Sequence, residues 1–123
     1  MVDKKSKKII CVAQSEGRKH DFRLFKESKT YIHDSIKAQV DTGYQGLQKK
    51  HLNTEIPKKR SKKNPLTKED KMQNRKISSS RVLVENVIRC LKIFRVLAEK
   101  YRNRRKRYGL RLNLIAGIYN FQL

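Results

Sequence analysis

Apolar positions fall in short blocks along the first half of the chain and at helical spacing along the second, which predicts an α/β class with a mostly helical C-terminal half. After the polar turn Lys4-Lys5-Ser6-Lys7 comes an unbroken apolar run, Ile9 to Ala13, of the kind shown by a strand buried on both faces. With Val2 and Asp3 before the turn, this run would be the second arm of a hairpin whose first arm is nearly missing. Gly17 ends the strand. Asp21 then precedes Phe22, Leu24 and Phe25, and its carboxylate can accept from the free amides of a first helical turn, so it is the expected N-cap. Ile36 to Val40 alternates apolar and polar residues, as a half-buried strand does. That puts Asp41 at a strand's C-terminal end, where open α/β sheets commonly place ligand-binding groups.

From Gly46 to Pro65 the chain is polar and loop-like, with room for a short strand at Thr54 to Pro57. Thr67, with Asp70 three residues on, marks a helix start after Pro65. Ser78-Ser79-Ser80 offers a second start, leading into Val82, Leu83, Val84, Val87, Ile88, Leu91, Phe94 and Leu97, which recur at three and four. A last helix is expected within Arg104 to Tyr119, with Leu114, Ile115 and Ile118 on its buried side. A strand-and-helix part (1–57), a basic loop (58–66) and a helical part (67–123) together make one domain at most in a chain of 123 residues.

Charge narrows the class. Lys and Arg number 32 against 11 Asp and Glu, a formal charge of +21 with a pI near 10.4. Solubility needs far less, and an extreme of one sign reflects a polyanionic partner, nucleic acid before any other. The basic residues concentrate in Lys58, Lys59, Arg60, Lys62 and Lys63, and again from Lys100 through Arg104, Arg105 and Arg107 to Arg111. Such clusters neutralise phosphates and release counterions. No run reaches the ~18 to 20 apolar residues of a membrane-spanning helix, and no secretory signal follows the N-terminal lysines, so a cytoplasmic location without membrane contact is expected. Cys11 and Cys90, like His20, His33 and His51, lack the spacing of a disulfide framework or a zinc site.

Two carboxylates stand out against this background. At about 100° per residue, the stretch from Arg81 to Lys92 closes three turns to within about 20°. Arg81, Glu85, Arg89 and Lys92 therefore make one polar stripe opposite Leu83, Val87, Leu91 and Phe94. The plainest reading is a solvated stripe in which Glu85 pairs with Arg81 and Arg89, at about 0.3 to 0.5 kcal/mol per pair. Asp41, before Thr42 and Gly43, has an equally plain reading as a turn former whose side chain bonds local backbone amides.

Taken together, however, the segments resemble the catalytic domain of bacterial insertion-sequence transposases of the DDE superfamily. Ile10-Cys11-Val12-Ala13 through Gly17 to His20-Asp21-Phe22 looks like the strand-to-helix passage before that family's second acidic residue. Asp41-Thr42-Gly43-Tyr44-Gln45-Gly46 is similar to the block around the second Asp. Arg81, Glu85 and Lys92 have the spacing of the block that holds the final Glu, with Ser78 standing where that block usually has a Tyr. The tail, Tyr101 to Gly109 and Asn113 to Asn120, also resembles the end of such transposases.

The resemblance implies an incomplete RNase H-like fold, a short mixed sheet with flanking helices. It makes Asp41 and Glu85 the second and third members of a catalytic, metal-binding triad. It also implies two divalent ions, Mg²⁺ or Mn²⁺, bridging the scissile phosphate of DNA during strand cleavage and transfer, one activating water or a 3′-hydroxyl and the other stabilising the leaving oxygen. Arg81, Arg89 and Lys92 would meet DNA phosphates near the cut, while Tyr44 and Gln45 would contact the cut strand or, for Tyr44, pack.

The first Asp of such a triad belongs on an opening strand, upstream of the hairpin that this chain enters at its midpoint, and Asp3 at the hairpin turn is not given that role. With one ligand of three missing, the chain alone is expected neither to cleave nor to join DNA. The N-terminal half of a transposase is an expected partner, and so are further copies of the chain. A non-catalytic basic nucleic-acid-binding protein, RNA-binding or ribosome-associated, is the alternative. It accounts for the charge but not for the settings of Asp41 and Glu85. Either way, the Ile9 to Ala13 strand would be left with an unpaired edge.

Overall fold

The longest helix begins where its chemistry dictates. The Thr67 hydroxyl accepts from the Asp70 amide at 3.1 Å while the Asp70 carboxylate accepts from the Thr67 amide at 3.3 Å, a reciprocal capping box that satisfies two amides no helical carbonyl can reach. The structure, a computed structural model, describes residues 1–15, 17–98 and 107–123. In chain order its elements are α1 (Asp21–Glu27), β1 (Ala38–Gln39), β2 (Thr54–Glu55), α2 (Lys68–Leu91), α3 (Arg95–Ala98) and α4 (Tyr108–Phe121). Helix α2 runs unbroken through Ser78-Ser79-Ser80, so the second helix start expected there does not occur. The Ser80 hydroxyl lies 3.0 Å from the Ile77 carbonyl and 2.6 Å from Gln39 Oε1. It is thus engaged inside the helix and across to β1, and does not cap a new one. None of the described helices is long and apolar enough to cross a membrane.

The described residues form two compact units, Ser15–Arg81 and Met1–Gln14 with Val82–Leu123. In the first, β1 and β2 lie parallel, with Ala38 opposite Thr54 and Gln39 opposite Glu55. The Ala38 amide donates to the Asn53 carbonyl at 2.9 Å and the Val40 amide to the Glu55 carbonyl at 3.1 Å. Both strands fall where the pattern placed them. The sheet described is a two-stranded parallel ladder, not the mixed sheet expected, because β1 and β2 are joined by a crossover of 3₁₀ turns (Thr42–Tyr44 and Leu47–Lys49) and not by a hairpin. Lys37 and Gln39 both reach the Glu55 carboxylate, at 2.5 and 2.8 Å.

Gly46 makes the crossover at φ +99°, where a Cβ would also come within 3.0 Å of the Phe22 ring. Leu47 and Ile77 are buried beyond it, and the buried His51 donates its Nε2–H to the Ile36 carbonyl at 2.7 Å. Helix α1 is capped by His20, whose Nδ1 accepts from the Phe22 amide at 3.4 Å. Asp21, the expected cap, is instead the first helical residue. Its carboxylate lies against Gly43, where an added Cβ would be 2.7 Å from Asp21 Oδ2.

The second unit holds the hairpin. Val2 and Ile9 form an antiparallel bridge, flanked by Asp3 N–H to Lys8 O and Ile10 N–H to Met1 O, each at 2.9 Å. Asp3 closes the turn by accepting from the Ser6 amide and hydroxyl, bonds that hold its carboxyl below the ordinary range. The run that follows is not a strand buried on both faces. Ile9 is buried, whereas Ile10 is 63% exposed. The edge expected to stay unpaired is closed at Ile9 by a side chain: the Asn120 amide accepts from Ile9 N–H at 2.7 Å and donates to Ile9 O at 2.8 Å.

Ile9, Val87 and Ala116 form the core here, with Val2, Val12, Leu83, Leu91 and Tyr119 packed around them. On α4, Ile115 and Ala116 are buried, while Leu114 and Ile118, expected on the buried side, are exposed. That helix is apolar on most of its circumference, so periodicity could not select the face. Two lysines adopt left-handed backbone, Lys7 at φ 61° in the hairpin turn and Lys29 at φ 52° just past α1.

Candidate active site

Asp41 owes its position to the end of the ladder. Val40 makes the last parallel backbone bond, and the chain then turns into the 3₁₀ segment, which Asp41 caps. Its Oδ1 accepts from the Thr42 amide at 2.6 Å and lies 3.3 Å from the Thr42 hydroxyl, while its Oδ2 accepts from Arg81 Nη2 at 3.2 Å. The side chain remains 46% exposed. The turn-former reading of Asp41 therefore describes its local bonding correctly and omits the guanidinium. Arg81, placed by spacing beside Glu85, pairs with Asp41 instead, 40 residues earlier in the chain.

Tyr44 completes the turn, half-buried. Burial first, and then the Asp21 and Asp41 carboxylates, push its phenol above the ordinary value, so it is a protonated donor at neutral pH. Asp21 is the member of this group that local pattern placed elsewhere, as a helix cap. The signal that would have found it is Gly43, whose missing side chain makes room for that carboxylate.

Glu85 lies on α2 and belongs to the second unit. There it is exposed, as are Arg89 and Lys92, whereas Leu83, Val87 and Leu91 turn inward. The Lys92 amide still donates to the Ile88 carbonyl at 3.0 Å, so the helical register carries through it. Phe94, expected on the apolar side, lies past the end of α2 and is 38% exposed. The helix pairs expected of Glu85 with Arg81 and Arg89 are not formed among the described residues.

Both carboxylates offer accessible hard oxygen donors, the ligand type that Mg²⁺ and Mn²⁺ take. Among the described residues, no three His, Cys, Asp or Glu side chains gather into a metal-holding group.

Residues 1–120 match the family described as DDE superfamily endonuclease. The chain belongs to this family. The probable transposase for insertion sequence element IS702 of Microchaete diplosiphon is 48% identical over all 123 residues, which correspond to 45% of its length. The chain thus spans about half of the curated relative it matches. No solved structure matches it. DDE superfamily endonucleases generally depend on divalent metal ions.

In this DDE superfamily member the basic residues singled out by sequence differ in their freedom. Lys59 and Arg60 are exposed. Lys58 is held by Asp70 at 2.6 Å, and its backbone is gripped by Asn74, which accepts from Lys58 N–H and donates to Lys58 O, both at 2.9 Å. The Lys58 ammonium, and then the Thr67 amide, keep the Asp70 carboxyl below its ordinary value. Arg107 is exposed at the start of α4, and Arg104 and Arg105 lie outside the described residues.

Proposed function

We propose that this chain is the C-terminal portion of a DDE transposase, in which Asp41 and Glu85 supply two of three carboxylates that hold Mg²⁺ or Mn²⁺ for DNA strand cleavage and transfer. The observation that carries the reading is Asp41 itself, an accessible carboxylate immediately past a parallel strand, in a chain whose whole length matches a probable transposase. A bound divalent ion would supply Lewis-acid polarisation of the scissile phosphate and an activated attacking oxygen.

The chain's own residues do the rest. Asp41 is held in one orientation by the Thr42 amide, and Glu85 extends from the polar face of α2. The protonated Tyr44 phenol donates to a phosphate oxygen or the cut strand. Lys59, Arg60, Arg89, Lys92 and Arg107 neutralise backbone phosphates, which makes DNA binding weaken steeply with salt. With two ligands of the three, the chain by itself does not cleave DNA, because the remaining carboxylates do not hold both ions against their hydration, although Asp41 can still take one weakly.

The test is plasmid nicking in Mg²⁺ or Mn²⁺ by the purified chain, alone and mixed with the upstream part of the IS702 relative. No nicking by the chain alone is expected. Any nicking regained in the mixture should fall at least ~100-fold in Glu85→Gln. Metal-dependent nicking by the chain alone, abolished by Glu85→Gln, would sink the two-of-three reading. Regained nicking that survives Glu85→Gln would sink the assignment of Glu85.

A further inference from the structure

We infer that Arg81 is a built-in counter-cation for Asp41, holding its Oδ2 in the metal-free chain and competing with a divalent ion for that oxygen. The inference rests on the reading of Asp41 as a metal ligand. Four observations lead to it. Asp41 Oδ1 is committed to the Thr42 amide at 2.6 Å, which leaves Oδ2 as the oxygen with room for a cation. Arg81 Nη2 occupies it at 3.2 Å.

The guanidinium is also placed there by the fold. Ser80, its neighbour on α2, bonds Gln39 of β1 at 2.6 Å, two residues before Asp41. This contact ties the helix to the strand end and aims Arg81 at the carboxylate. Arg81 makes that pair in preference to Glu85 one helical turn away, although an acid and a base four apart ordinarily meet on a helix.

The grip is a loose one. A single nitrogen at 3.2 Å is longer than the usual charge-assisted bond of about 2.7 to 2.9 Å, and both side chains are partly exposed, at 33% and 46%, so solvent screens the pair. An arginine held this way keeps Asp41 oriented and its charge neutralised without metal, and a doubly charged ion can still displace it. Once displaced, the guanidinium remains beside the site, free for a phosphate. Arg81 is a positioning residue in this role.

Mn²⁺ titration of the ¹⁵N-labelled chain reads the competition directly, through paramagnetic broadening of the Thr42 and Gly43 amides. Arg81→Gln is expected to tighten this binding by up to about five-fold, the worth of a partly exposed ion pair. Asp41→Asn should abolish the local broadening in either background. Lys76→Gln removes the same charge from an exposed position on α2 and should change affinity much less.

Equal affinity in wild type and Arg81→Gln, with Asp41→Asn still abolishing broadening, overturns the role of Arg81 and leaves the metal site standing. Equal tightening by Lys76→Gln also overturns it, since the effect would then be one of net charge. Absence of any Asp41-dependent broadening overturns the metal reading and this inference with it. If circular dichroism shows Arg81→Gln unfolded, Arg81→Lys, whose ammonium falls short of Oδ2, carries the same test.

Discussion

Asn74 and Asn120 make the same pair of hydrogen bonds on different ground. Each turns its side-chain amide toward the backbone of one distant residue, accepts that residue's N–H and donates to its carbonyl, as a neighbouring strand would. Asn120 grips Ile9, which is buried in a small apolar core. Asn74 grips Lys58, which is exposed at the start of the basic loop. Identical chemistry therefore has two consequences. Around Ile9 the released groups would have little water to turn to, so the clamp bears on stability. Around Lys58 water can replace the amide, so the clamp mainly sets the direction in which a run of cations leaves α2.

The largest expected effect is that of Asn120→Ala, a loss of about 2 kcal/mol from leaving a buried donor and acceptor without partners, read as a lower urea midpoint and faster exchange of the Ile9 amide. Asn120→Asp sharpens the point, since a carboxylate accepts from Ile9 N–H but presents only oxygen to its carbonyl, and it should be no better than alanine at neutral pH. Asn74→Ala is expected to cost about 0.5 to 1 kcal/mol, the net worth of an ordinary hydrogen bond, with faster exchange confined to Lys58 and its neighbours. Equal losses at the two sites would break the distinction between them.

The smallest effect is a dependence on pH. Because Lys58 and Thr67 hold the folded Asp70 carboxyl below its ordinary value, Asp70 stabilises the native state fully above about pH 4, and the contribution disappears as pH falls through the lowered folded value. The melting difference between wild type and Asp70→Asn should accordingly be present at neutral pH and vanish in acid. A gap that widens in acid would show the sign to be wrong.

Features encoded within a few residues were legible in the sequence. The capping box of Thr67 and Asp70, the hairpin turn at Lys4 to Lys7, and the two short strands that became β1 and β2 all follow from local pattern, and so does the exposed stripe of Glu85, Arg89 and Lys92. Asp41 could be placed at a strand end for the same reason. What escaped depends on contacts across long separations. Nothing in the spacing of Asn120 announces Ile9, 111 residues away, and the helical rule that put Arg81 beside Glu85 takes no account of Asp41 on another element. The misjudged apolar stretches, Ile9 to Ala13 and α4, have too many hydrophobic residues for periodicity to say which face is covered.

Lys7 and Lys29 are openings for engineering. Each holds a left-handed backbone that glycine adopts freely and that burdens an ordinary side chain by about 1 to 2 kcal/mol. Lys29 stands just past the end of α1, the position where helices most often carry glycine. Exchanging both for glycine is thus the shortest route to a sturdier version of the chain, at the loss of two positive charges. A protein made easier to handle in this way would also be a slightly weaker magnet for polyanions.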